Sequence, residues 1–125
     1  MKLIIAGGRD FADDERSDNP TYYYDLLCQA MIDSNGATKA TEIVCGKARG
    51  ADSLGERWAR EKGIALKEFP ANWDLNGKKA GILRNIEMGD YADCLIAFWD
   101  GKSRGTAHMI QYMRAIGKHV YVVRY

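Results

Sequence analysis

The sequence predicts an α/β fold, a three-layer sandwich in which a mostly parallel five-stranded sheet is covered by helices on both faces. Three observations carry this. Short apolar runs alternate with segments of helical spacing along the chain, the pattern of β-α-β units. Several runs are apolar at successive positions rather than at alternate ones, as strands buried on both faces require. Three runs end in glycine-bearing polar loops, and in a parallel sheet such loops fall on one edge.

The elements follow in order. Lys2 to Ala6 reads as the first strand and stops at Gly7-Gly8-Arg9-Asp10. Residues 11–21 are polar and acidic (Asp13, Asp14, Glu15, Asp18, then Asn19-Pro20) and read as a loop, an insertion in preference to a lid. Tyr23, Leu26, Leu27, Ala30 and Met31 mark an amphipathic helix over Tyr22 to Asp33, with Ser34-Asn35-Gly36 as its stop. Glu42 to Cys45 is the second strand. A helix then runs to about Lys62, with Ala51, Leu54, Trp58 and Ala59 on one face and Gly63 closing it. Ala65 to Phe69 is the third strand, and Asn72 to Gly77 reads as a loop. Lys78 to Tyr91 reads as a helix with Leu83 and Ile86 as a less regular apolar face. Cys94 to Trp99 has the length and bulk of a buried strand. After Thr106 the spacing of Met109, Ile110, Met113 and Ile116 is helical, and His119 to Arg124 is the last strand.

Composition bounds the function. A chain of 125 residues, 46% hydrophobic and 28% charged, reads as one domain over residues 1–125 with a real core. A net charge of +1 argues against nucleic acid as the main partner, while leaving room for a local basic site. No run has the length of a membrane span, and no basic-then-apolar leader opens the chain. Cys28, Cys45 and Cys94 lie far apart without a C-x-x-C, which points to reduced core thiols and a cytoplasmic protein. No His/Cys/Asp cluster has ligand spacing, so neither a metal nor a cofactor is expected.

The three glycine loops are Gly7-Gly8-Arg9-Asp10, Gly46-Lys47-Ala48-Arg49-Gly50-Ala51-Asp52, and Asp100-Gly101-Lys102-Ser103-Arg104-Gly105-Thr106. Each alone is an ordinary βα turn or an anion site, and the third leads into a helix N-terminus whose dipole favours negative charge. Together, each with Arg or Lys, they describe a cradle for a phosphorylated ligand. None matches G-x-G-x-x-G or G-x-x-x-x-G-K-[ST]. Arg9 with Asp10 reads as a phosphate or sugar contact, or as a salt link within the turn. Asp52 reads as a first-turn capping carboxylate, ahead of a ribose acceptor. Arg84-Asn85, with Lys78 and Lys79 upstream, lies on a solvated face or reaches the phosphate. Trp73 and Trp99 flank strand ends, where a ring stacks on a base or packs in the core. His108 is better placed for proton work than His119, but its sequence neighbourhood offers no partner carboxylate.

These blocks, together with Ala80-Gly81-Ile82-Leu83-Arg84-Asn85, Ala92-Asp93 and Phe98-Trp99-Asp100-Gly101, resemble the SLOG superfamily. That is the Rossmann-like fold shared by the Smf/DprA and Lonely-Guy proteins, and the likeness is closest to the small YspA-like branch. The resemblance covers nearly the whole chain and implies a nucleotide-derived ligand at the strand edge and a homo-oligomer, with a dimer the usual symmetric solution. The implied phosphate-binding set is Gly7, Gly8, Arg9, Asp10, Gly46, Arg49, Gly50, Ala51, Asp52, Arg84, Asn85, Asp100, Gly101, Ser103, Gly105 and Thr106. The Lonely-Guy branch cleaves the N-glycosidic bond of modified adenosine monophosphates with a Glu three residues after the Thr of its Gly-Gly-x-Gly-Thr loop. Here Gly105-Thr106 matches the end of that loop, Lys102-Ser103 replaces the first glycine pair, and Met109 stands at the Glu position. The expectation is therefore a nucleotide-ligand binder acting as sensor, sponge or processing factor. The alternative is a phosphoribohydrolase-like enzyme in which Asp10, Asp52 or Asp100 supplies the carboxylate.

Overall fold

In a computed structural model that describes residues 1–8, 22–46 and 50–125, the first apolar run, Lys2–Gly7, becomes the central strand β1. On one side of it lie β2 (Glu42–Cys45) and β3 (Ala65–Glu68), and on the other β4 (Cys94–Trp99) and β5 (His119–Arg124). The order is β3-β2-β1-β4-β5, and every neighbouring pair is parallel, so the sheet is wholly rather than mostly parallel. Ile4 pairs with Val44 on one side and with Leu95 on the other. The chain builds outward from β1 to β3, then crosses back to the far side of β1. The strand order thus reverses between β1 and β4, where α/β sheets open a crevice beyond their carboxyl ends.

Strand pleating sorts the core into two faces. Leu3, Ile5, Ile43, Cys45, Ile96 and Phe98 face α1 (Tyr22–Asp33) and α3 (Ala51–Lys62), which contribute Leu27, Met31 and Trp58. Ile4, Ala6, Val44, Leu95 and Ala97 face α5 (Ala80–Tyr91) and α6 (Arg104–Ala115), which contribute Met88, Met109, Ile110 and Met113. This is the expected Rossmann-like three-layer sandwich.

Local chemistry moved several boundaries. Asn35 takes a left-handed φ of 62° and ends α1 as expected, but the chain then turns once more as α2 (Gly36–Lys39). The expected loop at 72–77 contains α4 (Trp73–Asn76), because the Asn72 side chain accepts the Leu75 N–H at 3.1 Å in the manner of an N-cap. A 3₁₀ turn over Gly77–Lys79 leads into α5, which begins at Ala80 rather than Lys78. Strand β3 stops at Glu68, although the Phe69 N–H still donates to the Cys45 carbonyl. Helix α6 starts at Arg104, ahead of Thr106, because the Ser103 hydroxyl accepts the Thr106 N–H and caps it.

The face assigned to α5 needs correction. Leu83 and Ile86 do not line its inner side: Leu83 is exposed and Ile86 half-buried, while the buried residues are Ala80, Asn85, Met88 and Gly89. Small residues let α6 approach closely, and a Cβ on Gly89 would sit 2.7 Å from the Tyr112 ring. At the C-terminus of α5 the Lys118 ammonium donates to the carbonyls of Gly89, Asp90 and Ala92 at 2.7, 3.1 and 2.7 Å. A cation there matches both the unpaired carbonyls and the negative end of the helix dipole.

Candidate functional site

The carboxyl ends of β1, β2 and β4 converge beside the reversal in strand order. Gly7, the last residue of β1, is paired with Phe98. A Cβ on it would lie 2.7 Å from the Ala51 Cβ and 2.7 Å from the Phe98 carbonyl oxygen, so only glycine lets the first turn of α3 and the end of β4 meet here. The Gly8 N–H donates to the same Phe98 oxygen at 3.3 Å. Arg9 and Asp10, and Lys47 and Arg49 of the second loop, lie outside the described residues. So do the side chains of Trp73 and Lys78.

The second loop is closed by its own ends. The buried Asp52 carboxylate, in the first turn of α3, accepts the Gly46 N–H at 3.1 Å. The Gly46 carbonyl accepts from Arg84 Nη1 at 2.7 Å, and the guanidinium lies so close that a Cβ on Gly46 would come within 2.4 Å of it. Arg84 is thus half-buried and turned toward the β2 end rather than standing on a solvated face. Its Nη2 has no hydrogen-bond partner among the described residues.

Asn85 extends this chain of contacts to α6. Its Oδ1 accepts from Arg84 Nε at 3.2 Å, and its Nδ2 donates to the Gly105 carbonyl at 3.1 Å. These two bonds fix which end of the amide is which. Nδ2 also lies 3.2 Å from His108 Nδ1. The amide nitrogen is a donor, so His108 Nδ1 accepts and the ring proton of the neutral form sits on Nε2. The partner His108 lacked in its sequence neighbourhood is therefore an amide on another helix, not a carboxylate.

The third loop is folded by Asp100. One carboxylate oxygen accepts the N–H groups of Lys102 and Ser103, both at 2.8 Å, which holds the Asp100 carboxyl below its ordinary range. A group depressed in this way stabilises the fold above about pH 4, the unfolded value, and loses that contribution as pH falls through its lower folded value. Asp100→Asn is accordingly expected to lower stability near neutrality, where the charged form contributes, and to approach wild type below the folded-state value, flattening the decline below about pH 4, measured by urea titration from pH 2 to 7. Trp99 is occupied too. Its indole N–H donates to the Ser103 carbonyl at 3.0 Å, and the Arg124 guanidinium lies 5.1 Å over its ring and beside Gly101. Sequence spacing gave no sign of Arg124, since it comes from the far end of the parallel neighbour β5.

Beyond Ser103 the first turn of α6 presents backbone. The N–H groups of Arg104 and Gly105 have no intrahelical acceptor. Gly105 is exposed, and a Cβ there would meet nothing within 4 Å. Thr106, by contrast, is buried, bound through its N–H and Oγ1 to Ser103. Met109, at the position of the Lonely-Guy Glu, is 1% exposed and packed among Ile4, Leu95 and Ala97. Burial keeps the thiols neutral: Cys45 is pushed far up, and Cys94 up to about 11. No group of three His, Cys, Asp or Glu among the described residues is placed to hold a metal ion. No described helix is long and apolar enough to cross a membrane.

Residues 1–75 match the family model described as YspA, cpYpsA-related SLOG family. The chain belongs to this family. The matched span contains the loops after β1 and β2. The chain is also 43% identical over 122 residues to the Gene 61 protein of Mycobacterium phage D29, an overlap of 93% of this chain and 90% of that one. No solved structure matches it significantly. Membership of the SLOG family points to nucleotide-related ligand binding or processing in general.

Proposed function

We propose that the protein binds a nucleotide or nucleotide-derived phosphorylated ligand on the carboxyl edge of its sheet, as a sensor, sponge or processing factor. The observation that carries this is the open first turn of α6 at Gly105, tied through Asn85 and Arg84 to Gly46 at the end of β2. Free N–H groups at a helix N-terminus suit a phosphate, and Arg84 Nη2 is a cationic donor on the same network. The two described candidate carboxylates, Asp52 and Asp100, favour binding over cleavage. Asp52 and Asp100 already accept backbone N–H groups, and Met109 is core, whereas glycosidic hydrolysis needs a carboxylate at the developing oxocarbenium. Similarity to a phage protein supports a mobile-element setting for the role.

The test is native mass spectrometry of the purified protein, then denaturation and identification of what is released, alongside thermal melts with a panel of nucleotides. A bound ligand raises stability by RT ln(1 + [L]/Kd), about 2.7 kcal/mol at a hundredfold excess over Kd. Gly105→Ala separates site from scaffold. The added methyl enters open space and removes a helical glycine, so stability is expected to rise by up to about 1 kcal/mol while ligand binding falls at least tenfold. A protein that carries no nucleotide and gains no stability from any of them refutes the reading. Unchanged affinity in Gly105→Ala moves the phosphate off this turn. Release of free base or ribose phosphate would make the protein a hydrolase.

A further inference from the structure

The ligand reading uses Gly105 and Arg84 but leaves one polar side chain of the same network idle. His108 lies near the start of α6, three residues after Gly105, so the two share a face of the helix. That face is turned toward α5. The Asn85 amide reaches both residues, donating to the Gly105 carbonyl at 3.1 Å and to His108 Nδ1 at 3.2 Å. The His108 ring is half-buried and lies nearly parallel to that of Tyr112, with centroids 6.3 Å apart and 21° between the planes. Tyr112 is itself tied to α5, since its hydroxyl donates to Asp90. An amide on one edge and an aromatic ring on one face thus fix how the imidazole stands.

With Nδ1 taken as an acceptor, the neutral ring carries its proton on Nε2. That N–H meets no acceptor among the described residues. It is not sealed in the core either. Among the described residues no buried side-chain nitrogen or oxygen lacks a hydrogen-bond partner, so the unpartnered Nε2 lies open to solvent. The same holds for Arg84 Nη2, at the other end of the Asn85 amide. The open ends of this network are therefore donors, suited to a ligand rich in acceptor oxygens.

Their spacing separates the oxygens. A phosphate held by the first N–H groups of α6 sits outside the helix end. The Cα of His108 is about 4.5 Å along the axis from that of Gly105, on the side away from the phosphate. The ring is therefore placed for the group that the phosphate is attached to, and in a nucleotide-derived ligand that group is a sugar. We infer that His108 is a specificity-determining residue of the proposed site, donating from Nε2 to a sugar oxygen next to the phosphate. Asn85 is the positioning residue that fixes its tautomer. The inference rests on the ligand reading above and adds to it a donor that selects a phosphorylated sugar over bare phosphate.

Two substitutions separate the two ring nitrogens. An Asn side chain reaches about as far as Nδ1 and a Gln side chain about as far as Nε2, so His108→Asn keeps an acceptor for Asn85 and loses the outward donor, whereas His108→Gln keeps the donor. The full chain is titrated with ribose 5-phosphate and with inorganic phosphate in mildly alkaline buffer, and the Gly105 amide is followed by NMR. The wild type is expected to bind ribose 5-phosphate roughly tenfold more tightly than inorganic phosphate. His108→Asn is expected to lose about tenfold toward ribose 5-phosphate and less than about twofold toward inorganic phosphate, and His108→Gln to stay within about threefold of wild type for both. Equal ribose 5-phosphate affinity in wild type and His108→Asn, equal losses for both probes, or no rescue by Gln overturns the inference and leaves the site standing. A Gly105 amide that neither probe moves overturns the ligand reading, and this inference with it. The nitrogen chemical shifts of the ligand-free His108 ring are expected to report the Nε2–H tautomer, and the Nδ1–H tautomer would overturn the inference whatever binds.

Discussion

Gly7→Val is expected to lower stability by about 3 kcal/mol or more, the largest effect of any single substitution at the strand edge. The Gly7 Cβ position is crowded from two sides, by the Ala51 methyl and by the Phe98 carbonyl oxygen, each 2.7 Å away. Neither neighbour can move far. Ala51 is fully buried in the first turn of α3, and the Phe98 carbonyl is held by the Gly8 N–H. A valine must therefore push apart the two central strands or lift α3 from the sheet. Gly7→Ala is expected to cost less, about 1–3 kcal/mol, and Ala51→Gly to recover part of it by removing one of the two obstacles. Urea unfolding of the single variants and the double variant measures this coupling directly. Full additivity would show that Gly7 and Ala51 do not oppose one another.

Asn85→Leu is expected to lower stability by about 2–3 kcal/mol, a fall in Tm of roughly 6–15 °C for a domain of this size. Asn85 is 6% exposed and serves three groups at once: Arg84 Nε, the Gly105 carbonyl and His108 Nδ1. Leucine fits the volume but leaves those groups without their partner in a setting from which water is largely excluded, and such orphaned groups carry the full desolvation penalty. His108→Ala breaks one of the three bonds and is expected to cost less than half as much. Differential scanning calorimetry of the pair decides the point, and equal losses would mean that the Asn85–His108 contact carries the network. Any ligand affinity that depends on the α6 turn should fall with Asn85→Leu as well, since this amide sets α6 against α5.

Element types were legible because burial on both faces leaves a plain record. Ile43-Val44-Cys45 and Leu95-Ile96-Ala97-Phe98 read as strands and are strands, fully covered by helices on either side. Helix α5 misled for a physical reason. Its inner face is built from Ala80, Asn85, Met88 and Gly89, of which only Met88 is large and apolar, while Ile82 and Leu83 are exposed on the other side. Hydrophobic periodicity finds the face with the most carbon, and in α5 that face is not the core. The glycine loops stood out in the sequence, but their wiring did not. Arg84 to Gly46 spans 38 positions, and Asn85 to Gly105 spans 20, and no local pattern records such a pairing. Asp100 closes its own turn within three residues, yet in the sequence it reads as a phosphate-binding residue and a candidate catalytic carboxylate.

The strand order also dictates how the protein comes together in time. Strand β1 leads the chain, yet its partner on one side, β4, begins only at Cys94. While the chain is being synthesised, β1 can pair with β2, but its other edge stays open until most of the sequence has emerged. Leu3, Ile4 and Ile5 thus wait as an unpaired apolar edge, the kind of surface that recruits other strands. Closing a contact across so long a stretch of chain is slow, and the docking of β4, with β5 beside it, into that gap is expected to come late in folding. The carboxyl ends of β1, β2 and β4 come together only when β4 has docked, so the strand edge that would receive a ligand depends on the part of the chain made last.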